Sequence, residues 1–375
     1  MLSVDFIVIG AGIAGASVAA ELAQRGQTVA LIEAEERPGY HSTGRSAALF
    51  SEMYGNATIR ALSRASRDTF LNPPPGFSSI ELFRPRGALF IANVEQAGRL
   101  NDFAVLPDVA CQTTLVTAEE AQSLCAILRD DYVVAGLYEP DAKDIEVDAL
   151  QQGYLRVLKQ HGGQLLTSTT AQSFERCEGM WRVTTNDGVI AARIVVNAAG
   201  AWADHIAKMA KAEPIGIMPY RRTAVLVDAP EGLAIEHWPL VIDIDEQFYF
   251  KPDAGLLLIS PADETPTEPC DAQPEEWDIA VAVDKVMGAA ALNVRQIRHK
   301  WAGLRSFVAD RTPVVGFDGK TDGFFWLVGQ GGYGVQTAPA LAKLACALAL
   351  GEDVPADIAG FGVRAADLSP ARFGR

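Results

Sequence analysis

The chain has 375 residues, and only five of them are cysteine. Cys111, Cys125, Cys177, Cys270 and Cys346 form no CxxC pair, so a disulfide framework or a Cys-rich metal site is not expected. They read as reduced, buried thiols in a cytoplasmic protein. The five histidines (41, 161, 205, 237 and 299) lie far apart with no metal-ligand spacing, so no metal is expected. Basic residues are in deficit, 32 Lys plus Arg against 47 Asp plus Glu, for a formal net charge of −15. That balance argues against nucleic acid and against an electrostatic hold on an anionic bilayer. No uncharged apolar run of about 18 residues occurs, which excludes a transmembrane helix on hydropathy grounds. The apolar start Phe6-Ile7-Val8-Ile9 lacks a basic flank and reads as part of the fold, not as a signal peptide. Repeats and low-complexity tracts are missing as well.

What is present is an enzyme-like composition, 49% hydrophobic and 21% charged, long enough for two or three domains. Val4–Ile9 reads as a buried parallel strand, and Gly10-Ala11-Gly12-Ile13-Ala14-Gly15 follows it directly. A helical pattern then runs to Arg25, with Gly26 as its stop, and Thr28–Ile32 forms a second strand ending at Glu33. In this β-α-β unit Gly10 permits the tight turn, Gly12 admits a pyrophosphate to the backbone, and Gly15 lets the helix pack on the strand. The helix N-terminus offers N–H groups to phosphate, and Glu33 offers acceptors to ribose hydroxyls. The motif predicts an ADP-ribose cofactor and leaves FAD and NAD open.

The loop Pro38-Gly39-Tyr40-His41-Ser42-Thr43-Gly44-Arg45-Ser46-Ala47-Ala48 supplies backbone N–H groups, hydroxyls and one guanidinium. Such a loop suits a second phosphate or an isoalloxazine edge, and hence a ligand longer than ADP. His41 reads as structural. Leu71–Gly76, with three prolines, marks an exit from the first domain. Gly87–Ala92 is expected as a strand, Ala118–Leu124 and Asp148–His161 as helices, and Trp181–Ala191 as a hairpin across Asn186-Asp187-Gly188. Ile194–Asn197 followed by Ala198-Ala199-Gly200 repeats the strand-to-small-loop pattern. Arg222–Val227, Leu240–Ile244, Gln247–Lys251 and Leu256–Ser260 read as a meander, followed by an exposed acidic loop, Asp263–Asp271. Phe324–Val328 leads into Gly329-Gln330-Gly331-Gly332-Tyr333-Gly334 and a helix with Thr337 as N-cap and Pro339 in its first turn.

These features predict an α/β Rossmann-type cofactor domain and a discontinuous, mostly antiparallel α+β substrate domain. The cofactor domain is drawn from 1–80, 145–213 and 306–375, the substrate domain from 81–144 and 214–305.

Gly10-x-Gly12-x-x-Gly15 with Glu33, the His-Ser-Thr-Gly-Arg-Ser loop, Asn197-Ala198-Ala199-Gly200 and the Gly-Gly-Tyr-Gly turn resemble the D-amino-acid-oxidase-like FAD enzymes. Within them, the stretches 38–48, Phe248–Gly255 and Trp301–Asp310 are most similar to bacterial D-arginine dehydrogenases. The resemblance implies FAD, held by Gly10, Gly12, Ala14, Gly15, Glu33 and Ala34 on the adenosine side. It extends the cofactor site through Ser42, Thr43, Gly44, Arg45, Ser46, Ala47, Ala48 and Leu49, then Ala171, Ala199 and Gly200. Gly331, Gly332, Tyr333, Gly334, Val335 and Gln336 complete it. It further implies that Arg222 and Arg305 hold a substrate carboxylate, that Tyr54 and Tyr249 donate to it, and that the Gly332 carbonyl accepts from the amine. Guanidinium suits this work because it binds carboxylate bidentately and stays charged.

The implied reaction is oxidative deamination of a small-molecule D-amino acid to a 2-oxo acid and ammonia. Hydride passes from the α-carbon to flavin N5, and a quinone or respiratory carrier accepts the electrons. Such an acceptor would bring a cytoplasmic enzyme to the inner membrane. Arginine-specific members carry a Glu where Ala88 stands and a His where Leu49 stands, so neutral substrates are expected here. Relatives with a flavin tethered to Cys have it near Arg305-Ser306-Phe307, where this chain has none, so FAD is expected to be non-covalent. Oxidation of a secondary amine or 2-hydroxy acid, an oxygen-using oxidase, and a flavin-binding sensor without turnover remain the alternatives. The loop Ser51–Gly55 is a candidate gate.

Overall fold

The computed structural model describes residues 2–374, so Met1 and Arg375, the ends of the expected domain ranges, lie outside the described residues. Two large sheets and one small one make up the architecture.

The β-branched run at the N-terminus becomes the strand Leu2–Ile9, fully buried from Phe6 onward. It lies between two parallel neighbours, Val29–Ile32 and Gly188–Asn197, which is why its apolar residues are continuous and do not alternate. Gln164–Leu166 adds a further parallel strand beside Val29–Ile32, and Phe324–Val328 runs parallel to the end of Gly188–Asn197. The expected hairpin forms with Met180–Thr185, and Ala171–Cys177 extends that edge of the eight-stranded sheet. Helix Ile13–Gln24 covers one face and packs on helices Val147–Gln160 and Gly334–Ala349. The carboxyl ends of four parallel strands, at Ile9, Ile32, Asn197 and Val328, therefore open on one edge, where ligands of such sheets bind.

The second sheet has nine strands and is antiparallel except where Leu240–Asp243 runs beside Ala88–Ala92. The expected meander holds for Leu240–Asp243, Tyr249–Asp253 and Leu256–Ser260. Met218–Asp228 departs from it, pairing with Leu256–Ser260 on one side and Ile297–Phe307 on the other. Register puts alternate residues of neighbouring strands on one face. Arg222, Ala224, Trp301, Gly303, Arg305, Tyr249, Lys251 and Leu258 share a single face in this way. The small sheet joins Leu49–Phe50, Phe83–Pro85 and Lys143–Ile145.

Two long helices, Ala57–Leu71 and Glu276–Ala289, occupy segments that sequence periodicity left unassigned. The acidic segment Asp263–Asp271 is largely exposed, as expected. Three of its four carboxylates are nonetheless engaged: Asp263 accepts from Thr223 N and Oγ1, Glu264 pairs with Arg222 and Arg311, and Asp271 pairs with Arg45. Three cysteines, Cys111, Cys177 and Cys270, are exposed, against the expectation of five buried thiols, and only Cys125 and Cys346 are in the core. The last helix starts at Gly334, earlier than the sequence suggested. Thr337 lies inside it, its N–H and Oγ1 both bonded to the Tyr333 carbonyl, so it is not an N-cap. Pro339 falls beyond the first turn, and its missing N–H leaves the Val335 carbonyl without an i+4 partner.

Candidate active site

At the carboxyl edge of the first sheet, two glycines are required by close approach. Gly10 has φ +97°, and a Cβ there would lie 2.7 Å from the Ala198 carbonyl oxygen. A Cβ on Gly15 would lie 1.8 Å from the Gly10 carbonyl oxygen, so only glycine lets helix Ile13–Gln24 sit on this turn. Glu33 fixes the turn from the side: its Oε2 accepts from Ala11 N at 2.8 Å and its Oε1 from Glu35 N at 3.0 Å. Each oxygen keeps a lone pair for a further donor. The Thr43 hydroxyl accepts from Ile13 N at 3.0 Å and so caps the helix from the Gly39–Ala48 loop.

These groups line one continuous cavity of about 470 Å³. Gly10, Gly12, Ala14, Glu33, Ala34 and Ala171 line it at the carboxyl edge of the first sheet, with Ala199 and Gly200. Ser42, Thr43, Arg45, Ser46 and Ala47 form the middle, and Gly331, Gly332, Gly334 and Val335 the opposite wall. Arg222, Tyr249 and Arg305 stand at the inner end, on the face of the second sheet. Seven expected residues do not line it: Gly15, Gly44, Ala48, Leu49, Tyr54, Tyr333 and Gln336. Gly15 and Gly44 act through backbone packing. Leu49 and Ala48 pack into apolar clusters. Gln336 turns away, its amide bonded to Ser51 N, Ser51 O and Ser63 Oγ.

Arg45 departs from its expected phosphate role. Its guanidinium donates to the Ala272 and Ala302 carbonyls and pairs with Asp271, which fastens the loop across the second sheet. His41, whose partner the sequence did not reveal, pairs with Glu35 at 2.9 Å and packs on Trp202.

The inner end has two cations with donors to spare. Arg222 is 7% exposed; its Nε donates to the Asp263 carbonyl at 2.8 Å and its Nη2 reaches Glu264 at 3.3 Å. Arg305 Nη1 donates to the Tyr54 hydroxyl at 2.8 Å. Among the described residues, Nη1 of Arg222 and Nε and Nη2 of Arg305 have no hydrogen-bond partner. Burial works against the Arg305 charge, but Tyr54, Tyr249 and Glu246 outweigh it and hold the guanidinium above its ordinary value. Burial also pushes the Tyr54 phenol up, so it stays a neutral donor. A Cβ on Gly332 would lie 2.9 Å from the Arg305 guanidinium, which ties the glycine turn to this cation.

The core that Tyr249 packs into is apolar. Met53, Ala88, Phe90, Ile242 and Leu258 form one buried cluster with Tyr249. Ala88 is fully buried there, and Glu81 is exposed outside the cavity. Sequence reasoning missed Gln330, which lies inside the recognised glycine turn. Its buried Nε2 has no partner among the described residues and lines the cavity.

The model of the DAO family, FAD dependent oxidoreductase, matches residues 5–348. The chain belongs to the DAO family of FAD-dependent oxidoreductases. It is 25% identical over 264 residues to mitochondrial dimethylglycine dehydrogenase of Rattus norvegicus, a match covering 68% of this chain and 30% of that protein. The chain thus spans under a third of that relative's length. L-proline dehydrogenase from P. horikoshii superposes with a TM-score of 0.83 at 23% identity, covering 100% of this chain and 98% of that one. Glycine oxidase from Geobacillus kaustophilus gives 0.84 at 20%, covering 96% and 98%. At these identities the two structures show the fold.

For a DAO-family chain the cofactor is FAD, and the residues fit it. The Gly10 and Gly15 cradle leaves backbone free for a pyrophosphate, Glu33 keeps acceptors for a ribose, and the buried Gln330 amide needs an acceptor.

Proposed function

We propose that this oxidoreductase deaminates neutral D-amino acids. The reading rests on one observation: two buried guanidiniums with unspent N–H groups stand beside Tyr249 at the inner end of the FAD cavity. A planar carboxylate satisfies such donors bidentately. Arg222, held by the acidic segment, and Arg305, held by Tyr54, fix the carboxylate, and Tyr249 supplies a further hydroxyl. With the carboxylate fixed, the Gly332 carbonyl accepts from the α-amine and so turns the nitrogen lone pair into line with the Cα–H bond that breaks. When bound, FAD supplies the two-electron acceptor, taking hydride from that carbon at N5. The amine enters neutral or loses its proton to water, so the chain needs no side-chain base. The resulting imino acid hydrolyses to a 2-oxo acid and ammonia.

The expectation of an uncharged substrate side chain rests on the resemblance, since Ala88 and Leu49 stand where the arginine-specific members carry Glu and His, and a desolvated cation without them lacks a partner. D-handedness rests on the resemblance to D-arginine dehydrogenases, as do the quinone or respiratory acceptor and the cytoplasmic setting. No helix among the described residues is long and apolar enough to cross a membrane.

A second reading rests on Glu246. Its charge acts on Tyr54, Tyr333 and Arg305 from the exposed turn between Asp243 and Tyr249, where it meets a long cationic side chain at the outer edge of the site.

The test is anaerobic. Single D- and L-amino acids, sarcosine, D-proline and D-lactate are added to the yellow holoenzyme, and the oxidised flavin band is followed. Bleaching by neutral D-isomers is the expected result. Faster bleaching by D-Arg or D-Lys establishes the Glu246 reading, and bleaching only by sarcosine, D-proline or D-lactate overturns deamination of primary amino acids. Subsequent admission of air separates a dehydrogenase from an oxidase by the rate at which the flavin band returns.

A further inference from the structure

A second cavity, of about 390 Å³, lies on the same face of the nine-stranded sheet as the carboxylate clamp. Along that face Arg305, Arg222 and Tyr249 line the FAD cavity, while Trp301, Leu258 and Lys251 line the second. The Arg45–Ala48 segment crosses between them. Arg45 Cβ sits 3.3 Å from the Cβ position of Gly303, the Trp301 indole donates to the Arg45 carbonyl at 3.1 Å, and Ser46 and Ala47 line both cavities.

The wall of this second cavity holds an unused buried charge. Lys251 is 4% exposed. Its ammonium donates once, to Asp144 Oδ1 at 2.7 Å, and among the described residues its other two N–H groups have no partner. Asp144 is already shared, since its Oδ2 accepts from Arg86 Nε at 2.7 Å. Lys251 and Arg86 thus divide one carboxylate, while the lining as a whole also holds Arg84, paired with Glu146, and the carboxylates Glu236 and Asp253. Arg86 Nη1 donates to the Glu236 and Trp238 carbonyls, and its Nη2, like the two spare Lys251 N–H groups, has no hydrogen-bond partner among the described residues. A buried ammonium with unmet donors calls for an anionic acceptor. Ile235, Pro252, Leu258 and Trp301 add an apolar part to an otherwise polar lining, with room for a small hydrocarbon body. Multiply charged anions are disfavoured by Glu236 and Asp253 at the rim.

We propose that this cavity is a second binding site, for a small monocarboxylate with an apolar body, with Lys251 as its anchor. Two molecules share that chemistry, an amino acid and a 2-oxo acid, and the choice between them rests on the proposed reaction; the existence of the site does not. The rim carboxylates favour the amino acid, whose ammonium they attract. The location gives an occupant a hold on the cofactor loop, because Asp144 pairs with Leu49 and the Ile145 N–H donates to the Ala48 carbonyl at 2.8 Å.

The experiment is a calorimetric titration of the holoenzyme with benzoate, with the visible flavin band recorded in parallel. Benzoate on the Arg222–Arg305 clamp perturbs the flavin spectrum; benzoate at the second cavity gives heat without that signature. The expected wild-type stoichiometry is two. Lys251→Gln is expected to weaken the spectrally silent site by about tenfold or more and leave the flavin-reporting one in place, while Lys251→Arg keeps both. A wild type with no spectrally silent site overturns the proposal without any variant, and so does an undiminished silent site in Lys251→Gln; a silent site without a flavin-reporting one overturns the clamp reading instead. Repeating the titration with L-leucine and with 4-methyl-2-oxopentanoate identifies the source: tighter silent binding of the first assigns the site to an amino acid, and of the second to the oxo acid.

Discussion

Arg305 and Tyr54, 251 positions apart, meet in a 2.8 Å hydrogen bond that joins the second sheet to the loop after Phe50. The bond orients a guanidinium whose remaining donors face the FAD cavity, and it keeps the tyrosine out of the cavity lining. Tyr54 therefore acts through Arg305. Tyr54→Phe removes one bond to a charged group and is expected to lower kcat/KM about tenfold, mainly through KM. Arg305→Leu removes the charge itself and is expected to cost about a hundredfold or more. Steady-state kinetics on a neutral D-amino acid checks both; equal losses in the two variants would deny Tyr54 a positioning role.

Gly15 and Gly10 set the geometry of the first turn. Gly15→Ala forces a methyl against the Gly10 carbonyl, and the helix must shift. A destabilisation of about 1–3 kcal/mol is expected, with reduced flavin retention. Thr43→Ala instead leaves the turn intact and frees Ile13 N, for a loss of about 1 kcal/mol. Urea unfolding and the flavin-to-protein ratio of purified variants measure both effects. Full flavin loading in Gly15→Ala would refute the cradle argument.

The N-terminal β-α-β unit was legible because its signals are local: a β-branched run, fixed glycine spacing and an acid at the end of the next strand. Helix Ala57–Leu71 was not, because serines interrupt its buried face. Ser63 and Ser66 bond back to the Ile59 and Leu62 carbonyls and meet Gln336 and Ala340 of the last helix, so small polar residues occupy positions where periodicity looks for apolar ones. Strand Ile297–Phe307 hid for a related reason, since it turns a charged Arg305 inward. The acidic segment is exposed as read, but its ion pairs were not legible because the partners, Arg222 and Arg45, are distant in sequence. The bonds of Arg45 to Ala272 and Ala302, and of Gln336 to Ser51 and Ser63, were illegible for the same reason of distance in sequence.

The cysteines separate by exposure. Cys111, Cys177 and Cys270 are exposed and should react with a thiol reagent in the native protein. Cys125 and Cys346, both pushed up to about 12 by burial, should react only on unfolding. None of the five lines the FAD cavity, so acid precipitation should release all flavin into the supernatant. Yellow precipitate would contradict non-covalent FAD, and five fast thiols would contradict the packing around Cys125 and Cys346.

Glu139 gives the fold a pH dependence. It is 1% exposed, and burial pushes its carboxyl from 4.5 up to about 7, although Ser51 Oγ and Glu52 N both donate to it. A carboxyl whose folded pKa is raised binds its proton more tightly in the folded state. Its contribution to stability is fully present below the unfolded value of 4.5 and is lost as pH rises through about 7. Wild type should therefore lose stability relative to Glu139→Gln over that interval, by up to about 3 kcal/mol. Urea unfolding of both proteins at several pH values between about 4.5 and 8 reads the difference directly. A difference that stays flat, or that grows in favour of wild type with rising pH, would mean that the Ser51 and Glu52 donors hold Glu139 ionised. The start of the Tyr54 loop would then rest on a buried charge, and not on a neutral acid.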